Sequence, residues 1–560
     1  MRTNMYIFIL ILFVIVSINA SVRIIDDCEL IIVGGSTAAL GAVLSASKLI
    51  DKKVCLLEPT DWAGGQMTSE LLSAPDFAGY KLVDESGFIL DVGKINLEIE
   101  NRNPLFTQML NTLGNTGRCS VSPICSIPDQ FHSQVVLPLI KNLRIYYNTV
   151  IKHITKDTSS RRIIKIDAIK RIANGKANRC RFLSEELPDW YSYNDSLWFN
   201  KNKLTFTNIS YVIEGSSWGE VLVLSNASFV QGLMEEYDGD ISGNGNWSCG
   251  EMFTIDFLEQ LHGKPVDEPA NPLPEPSGGG QYSLLGRPWE RAWTYRRVNT
   301  SSNDINIVAI NDIIIQNRVR GNDYGRKFFF LSPSEAQRHR DIGIWRGGVS
   351  LEALKGGEEQ SYGWHYWFRA NAPIEWTNRT VFINLSSWTG TCHGLAKMPY
   401  LRESRRSIGI GNFLMNISTI TGNVSDLHGY IFHDRMCLGA YDVDIHRMKL
   451  CNYPSYIRQT YSILPYYIPL RAMTNRDIDN LIVIGKTMAQ TFLVNAATRL
   501  HPVEFFNGQA GGVAAAYAIL NNLNRVDQLL EEQHLTRLQT LVKTFTPLSW
   551  TINGRRYPND

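Results

Sequence analysis

Three histidines, His393, His446 and His501, can take up a proton near neutral pH, because an imidazole titrates close to pH 7 and can act as a general base. Each can equally be a hydrogen-bonded structural group. Arg402, Glu403, Arg405 and Arg406 crowd four charges into one short run. Such a run forms either a salt-bridged platform beside a reacting group or a buried ion-pair network that fixes a domain interface. A third constellation is Gly34-Gly35-Ser36-Thr37-Ala38-Ala39, with Glu58 following at roughly the 20-residue spacing of a ribose-binding acid. Small residues at that turn let the backbone approach a pyrophosphate, whose charge rests on the N–H groups and positive end of the next helix. Glu58 would accept from both ribose hydroxyls and repel a 2′-phosphate. Ser36 and Ala39 stand where the fingerprint has its second and third glycines, so the glycine turn alone also fits an ordinary α/β crossover.

The elements that must position these residues follow from local pattern. Leu30–Val33 reads as a buried strand, Leu40 to about Ile50 as a helix of small residues, and Val54–Leu57 as a second strand ending on Glu58. Leu143–Ile151 reads as an edge strand and turn, Arg162–Ile166 as another strand, and Tyr211–Glu220 as a strand entering a glycine turn and helix. Asp479–Lys486 is a buried strand running into Gly485. The segment Asn507–Ala516 reads either as a glycine-led helix N-terminus that offers N–H groups to an electron-rich ring edge, or as a close-packed Ala/Gly helix. Pro265–Tyr282 is a Pro/Gly-rich connector, and beyond it come Trp289, Trp293, Trp345, Trp364, Trp367, Trp376 and Trp388. They build an aromatic core or line a surface for sugar or ring stacking.

At 560 residues the chain exceeds one ordinary core, so two domains are expected, whether interleaved or successive. A net charge of +1 and the lack of a basic stripe argue against nucleic acid. Arg2, the apolar run Met5–Val16 and Ala20 read as a secretory signal over residues 1–20, with no stable membrane span after cleavage. Sequons at Asn194, Asn208, Asn226, Asn246, Asn299, Asn378, Asn384, Asn416 and Asn423 agree with passage through the secretory route. With no retention signal after Asp560, the expectation is a secreted or endolysosomal glycoprotein. Nine cysteines leave at least one unpaired, with Cys55, in a strand buried on both faces, the favoured candidate. Cys119 and Cys125 can close a small disulfide ring, and a structural or unpaired role is preferred to a redox-active one. No segment has the spacing of a zinc site, so no metal is expected.

The chain resembles the FAD-dependent oxidoreductases of the glutathione-reductase-like two-dinucleotide-binding fold, in particular the "FAD-dependent oxidoreductase" or xanthan-lyase-like group. The motifs that carry this are Val33–Ala39, Glu58 with Gly64-Gly65, Gly117-Arg118-Cys119, Leu401–Gly409, and Arg499-Leu500-His501-Pro502 with Gly508–Gly512. The resemblance implies an α/β fold in which a Rossmann-like FAD-binding domain is discontinuous (28–170, 205–230, 475–525). An α+β substrate or cap domain with a mixed sheet is inserted at 231–470, and a C-terminal helix and tail fill 526–560. It implies that Gly34, Gly35, Ser36, Ala38 and Ala39 bracket the pyrophosphate, Glu58 and Pro59 the ribose, and Gly64, Gly65, Gln66 and Met67 the diphosphate and flavin side. Val150 would meet the adenine edge, and Gly485 and Lys486 the ribityl chain, with Lys486 replacing the usual acid. Arg499, Pro502, Gly508, Gln509, Ala510 and Gly511 would line the flavin, the helix start at Gly508 facing its pyrimidine edge. His501 is then the preferred base, with His393, Arg402 and Glu403 as further catalytic candidates.

The activity implied is hydride transfer from a C–H bond of a small polar or carbohydrate-like substrate to flavin. Oxygen is the expected oxidant, since no second intact glycine fingerprint for NAD(P) is present. A glycan-binding or polysaccharide-processing protein with non-redox FAD is the alternative, motivated by the tryptophans. Oligomeric state is not legible.

Overall fold

The computed structural model describes residues 23–560 apart from 51–52, 77–80, 84–88, 92–100, 115, 123, 176–179, 277–281, 384–385, 424–425, 459–460, 462, 553 and 560. The signal segment and Asn384 therefore lie outside the described residues. After strand β1 (Arg23–Asp27) come β2 (Leu30–Val33), α1 (Thr37–Leu49) and β3 (Val54–Leu57), the expected βαβ unit. Every residue of β2 and β3 is buried, as in a parallel sheet covered on both faces. Ser36 does more than replace a glycine: its Oγ accepts from Ala39 N–H at 3.1 Å and caps α1.

The run read as one edge strand divides in two at Asn148, whose φ of 54° turns the chain. Its first part is β4 (Arg144–Tyr146); the second is β5 (Thr149–Lys156), which continues through β6 (Ile163–Ala173) and β7 (Phe199–Thr207). β8 (Tyr211–Glu214) then returns to the first sheet. In the middle of the chain β9 (Phe257–Leu261), β10 (Arg297–Asn299), β11 (Ile313–Gln316), helix α2 (Leu351–Ala370) and β12 (Thr380–Phe382) form a separate layer. The chain closes on β13 (Leu481–Val483) and α3 (His501–Leu520).

These strands form three sheets, and five two-stranded sheets are also present among the described residues. A five-stranded parallel sheet has the order β13-β8-β2-β3-β4. Its strands come from three distant parts of the chain, so this domain is discontinuous in sequence. A four-stranded sheet of order β1-β7-β6-β5 lies beside it, and an antiparallel sheet of order β10-β11-β9-β12 forms the inserted layer. Trp289, Trp293, Trp345 and Trp364 are all buried, and Trp289 stacks on Phe368 with ring centroids 5.5 Å apart. Trp289, Trp293 and Trp364 build the core of the inserted layer, Trp345 donates to Glu220 Oε1 at 3.2 Å, and Trp367, Trp376 and Trp388 are half-buried.

Helix α3 starts at His501, so Gly508 to Gly511 lie in its interior and not at its N-terminus. Pro502 in the first turn is the signal that sets this start. A Cβ on Gly508 would come within 2.0 Å of Ala38 O, and one on Gly512 within 2.3 Å of Ala42 O. The glycines bring α1 and α3 into backbone contact, and the close-packed alternative is the one observed.

The cysteine expectation also changes. Cys55 is bonded to Cys28, and Cys437 is the buried free thiol. Burial of a strand on both faces does not isolate its cysteine when the approach to the neighbouring strand carries another in the same layer. Cys119–Cys125, Cys180–Cys392 and Cys249–Cys451 complete the pairing. No described helix is long and apolar enough to cross a membrane.

Candidate active site

At the C-terminal ends of β2, β3 and β8 the chain leaves a crevice, the usual ligand position in an open parallel sheet. Gly34 (φ 101°) lies against Ser216, and a Cβ there would be 2.3 Å from its Cα. Gly35 faces Glu58, where a Cβ would meet Oε2 at 2.1 Å. Glu58 Oε1 accepts from Thr60 N–H (2.9 Å) and Oγ1 (2.8 Å), whereas Oε2 is buried without a hydrogen-bond partner. Burial pushes this carboxyl up to about 8 despite the Thr60 bonds. Donors from a sugar diol would satisfy Oε2 and draw it back down.

Pro59 O accepts from Arg171, and Val150 is buried in β5, paired with Ile169 of β6. Gly64 and Gly65 take positive φ of 119° and 57° before the turn that carries Gln66 and Met67. Gln66 Nε2 donates to Arg499 O at 2.9 Å, tying this loop to the approach to α3, and its Oε1 is buried without a partner.

The loop at Gly485, φ 65°, is held by its N–H donating to Asn507 Oδ1 (2.6 Å). Lys486 Nζ lies 3.4 Å from Glu504 Oε1, both fully buried. Burial pushes Glu70 up to about 7, opposed by Lys486 and assisted by Glu504. This buried Lys–Glu–Glu group was not singled out from the sequence, where only Lys486 departed from pattern. Gln509, Ala510 and Gly511 sit on buried faces of α3; Gln509 Oε1 accepts from Asn103 Nδ2 at 2.5 Å, a packing contact.

His501 is buried, with Nε2–H donating to Leu72 O at 2.9 Å. Burial pushes it down to about 3, so the ring is neutral. His393 stacks near Phe182 with centroids 4.9 Å apart, and burial pushes it to about 4. It lines a different cleft with Thr60, Asp61 and Arg171, beyond Glu58.

The charged run splits by position. Arg402 faces a cleft and pairs with Asp323 at 2.9 Å, also receiving Thr254 Oγ1 as acceptor at 2.8 Å. Arg405 donates to Trp218 O and Gly348 O and lies 4.5 Å from the Phe330 ring centroid. Arg406 pairs with Glu235 (3.3 Å), and Glu403 is buried with neither oxygen bonded. Arg405 and Arg406 thus fix the packing between layers, and Arg402 alone of the three arginines reaches a cleft.

That cleft encloses about 820 Å³ including its open mouth, and Tyr400, Arg402, Tyr441, Asp444, His446 and Arg499 are among its walls. Arg499 precedes the first residue of α3 by only two positions, so the cleft adjoins that helix start. His446 Nδ1 lies 2.6 Å from Asp323 Oδ2, and Nε2 lies 3.2 Å from Asp444 Oδ2. Arg499 pairs with Asp444 at 2.8 Å and donates to Tyr400 Oη at 2.7 Å. Arg402, Asp323, His446, Asp444 and Arg499 therefore form one chain of alternating charge. Burial and Arg402 push His446 down, but the carboxylates of Asp323 and Asp444 outweigh them and its affinity for a proton is raised. The signal for this chain was present in Asp444-Ile445-His446, an i, i+2 pair on one side of an extended segment. Asp323 carried no local signal.

A family model for FAD dependent oxidoreductases matches residues 29–181 and 198–540. Among solved structures, adenylylsulfate reductase from Archaeoglobus fulgidus is similar over 93% of this chain and 74% of its own, at 12% identity and a TM-score of 0.29. The p-nitrophenol 4-monooxygenase of Pseudomonas putida is similar over 94% and 88%, at 10% identity and a TM-score of 0.27. A myxobacterial chondrochloren halogenase is similar over 92% and 78%, at 9% identity and a TM-score of 0.31. No curated protein matches the sequence.

Proposed function

The chain belongs to the FAD-dependent oxidoreductase family, with FAD as cofactor, and from that premise we propose that it dehydrogenates a small polar or carbohydrate-like substrate held beside Tyr400, Arg402 and His446. The fold is a Rossmann-like FAD-binding domain with an inserted β layer. The residues at the crevice fit FAD: Glu58 Oε2 and Gln66 Oε1 are buried acceptors without partners, and side chains at Gly34 or Gly35 would fill the approach. Bound FAD supplies a two-electron acceptor for a hydride from the substrate carbon.

The remaining work falls to this chain. The single observation that carries the reading is the position of His446, held 2.6 Å from Asp323 inside a cleft that Arg499 shares at the start of α3. His446 receives the proton of the oxidised hydroxyl or amine, and Asp323 holds the ring and stabilises its cationic form. Tyr400 and Arg499 orient the substrate. His446 replaces His501 in this role because His501 is buried on Leu72 O and lines none of the clefts described. Oxygen serves as the oxidant, and the protein works in a secreted or lumenal setting, a reading supported by four disulfides and by exposed sequons at Asn194, Asn208, Asn378 and Asn423.

The test is a visible spectrum of purified protein under anaerobic conditions with polar alcohols, sugars and amines. Flavin colour that bleaches with one of them, and hydrogen peroxide on readmission of air, is expected. Colour that persists while a glycan is cleaved would sink the proposal.

A further inference from the structure

We infer that the substrate of this cleft carries a carboxylate and that Arg318 receives it, a step that rests on the cleft's being the substrate site as proposed above. Five arginines line the cleft: Arg287, Arg296, Arg318, Arg402 and Arg499. Three are matched to acids, Arg296 to Asp76 at 3.0 Å, Arg402 to Asp323 at 2.9 Å and Arg499 to Asp444 at 2.8 Å. Arg318 is not: half-buried, it has no carboxylate partner among the described residues, and its guanidinium carbon lies over the Tyr295 ring, 5.8 Å from the centroid. Arg287 is exposed at the mouth. Burial pushes the Arg318 guanidinium down to about 10, with the neighbouring arginines Arg287, Arg296 and Arg291 acting in the same direction and Tyr295 opposing them. A guanidinium held in this position without an acid is costly unless a ligand completes it.

The charge balance selects the ligand. Asp76 and Asp444 share the cleft and would repel a dianion such as phosphate, whereas a carboxylate brings one negative charge and the planar pair of oxygens that a guanidinium fork bridges. The tyrosines Tyr295, Tyr400 and Tyr441 give the rest of the molecule hydroxyl and ring surface.

Calorimetric titration of the flavin-loaded protein with glucuronate, glucose, lactate and inorganic phosphate tests this. Glucuronate and glucose differ only in the carboxylate, and lactate is a smaller monoanion. Glucuronate or lactate should bind at least about tenfold more tightly than glucose and than phosphate, from the worth of one charge-assisted hydrogen bond. Arg318→Ala should remove about tenfold or more of that affinity, with Arg318→Lys retaining part of it. Binding of glucose or phosphate as tight as that of the carboxylates, no carboxylate binding, or an Arg318→Ala protein that binds them unchanged would each overturn the inference. Flavin content, read from visible absorbance of the same samples, separates the two readings. A coloured protein bleached only by uncharged substrates keeps the oxidoreductase and loses the carboxylate; a colourless protein loses the premise itself.

Discussion

Glu58 has one oxygen committed to Thr60 and the other buried without a partner beside Gly35. A carboxylate completed by two sugar hydroxyls contributes about 1.5–3 kcal/mol per charged hydrogen bond. Glu58→Ala is therefore expected to weaken FAD binding by at least tenfold with the fold retained, measured by fluorescence of released flavin on dilution; unchanged retention would show that Glu58 is not the ribose acid. His446 yields a second expectation. Its affinity for a proton is raised by the carboxylates of Asp323 and Asp444, so the ring gives up its proton and becomes a base only at a pH above its ordinary value near 6.5. Turnover should rise with pH along a limb above 6.5, and Asp323→Asn should move that limb to lower pH by removing a carboxylate that raises it. His446→Gln should lower kcat by about 10²–10⁴ and abolish the limb. A limb that stays in place in both variants would assign the proton to another group.

Between α1 and α3, the elements that bring the crevice and the cleft together, backbone contact replaces side-chain packing. Alanine is favoured over glycine inside a helix by about 1 kcal/mol, so Gly508→Ala would stabilise an uncrowded helix. Here its Cβ would fall 2.0 Å from Ala38 O, and forcing such an overlap costs about 1–3 kcal/mol or more. A lower melting temperature and loss of bound flavin are expected; a higher melting temperature would refute the close contact. The βαβ unit, β8 and β13 were legible because buried parallel strands are short runs of β-branched and aliphatic residues. The start of α3 was misread because glycines drew attention from Pro502, although proline in a first turn marks a helix start directly. The inserted layer was expected from the resemblance, but its local sequence showed only clustered tryptophans, since the pairing of Phe257–Leu261 with Ile313–Gln316 and Thr380–Phe382 spans separations that local pattern does not encode. The same holds for Asp323, which meets Arg402 and His446 only once that layer has folded.

At the scale of the whole molecule, the covalent links test the compartment and the architecture together. Cys180–Cys392 joins the segment after β6 to the inserted layer across a separation of 212 residues, and Cys249–Cys451 spans 202. In the chain-entropy account, a loop of that length closed by a disulfide destabilises the unfolded state by about 5 kcal/mol. Such bonds are characteristic of an oxidising compartment, the setting proposed from the signal segment and the exposed sequons. Protein collected from the medium and denatured without reductant should show one titratable thiol, Cys437, and nine after reduction. Cys180→Ser together with Cys392→Ser should lower the melting temperature while leaving the FAD spectrum of the folded protein intact, because neither residue lines the crevice at Glu58. Treatment with an N-glycosidase should reduce the mass of the same preparation. Nine thiols before reduction, with no change in mass, would return the chain to a reducing compartment and remove the case for secretion.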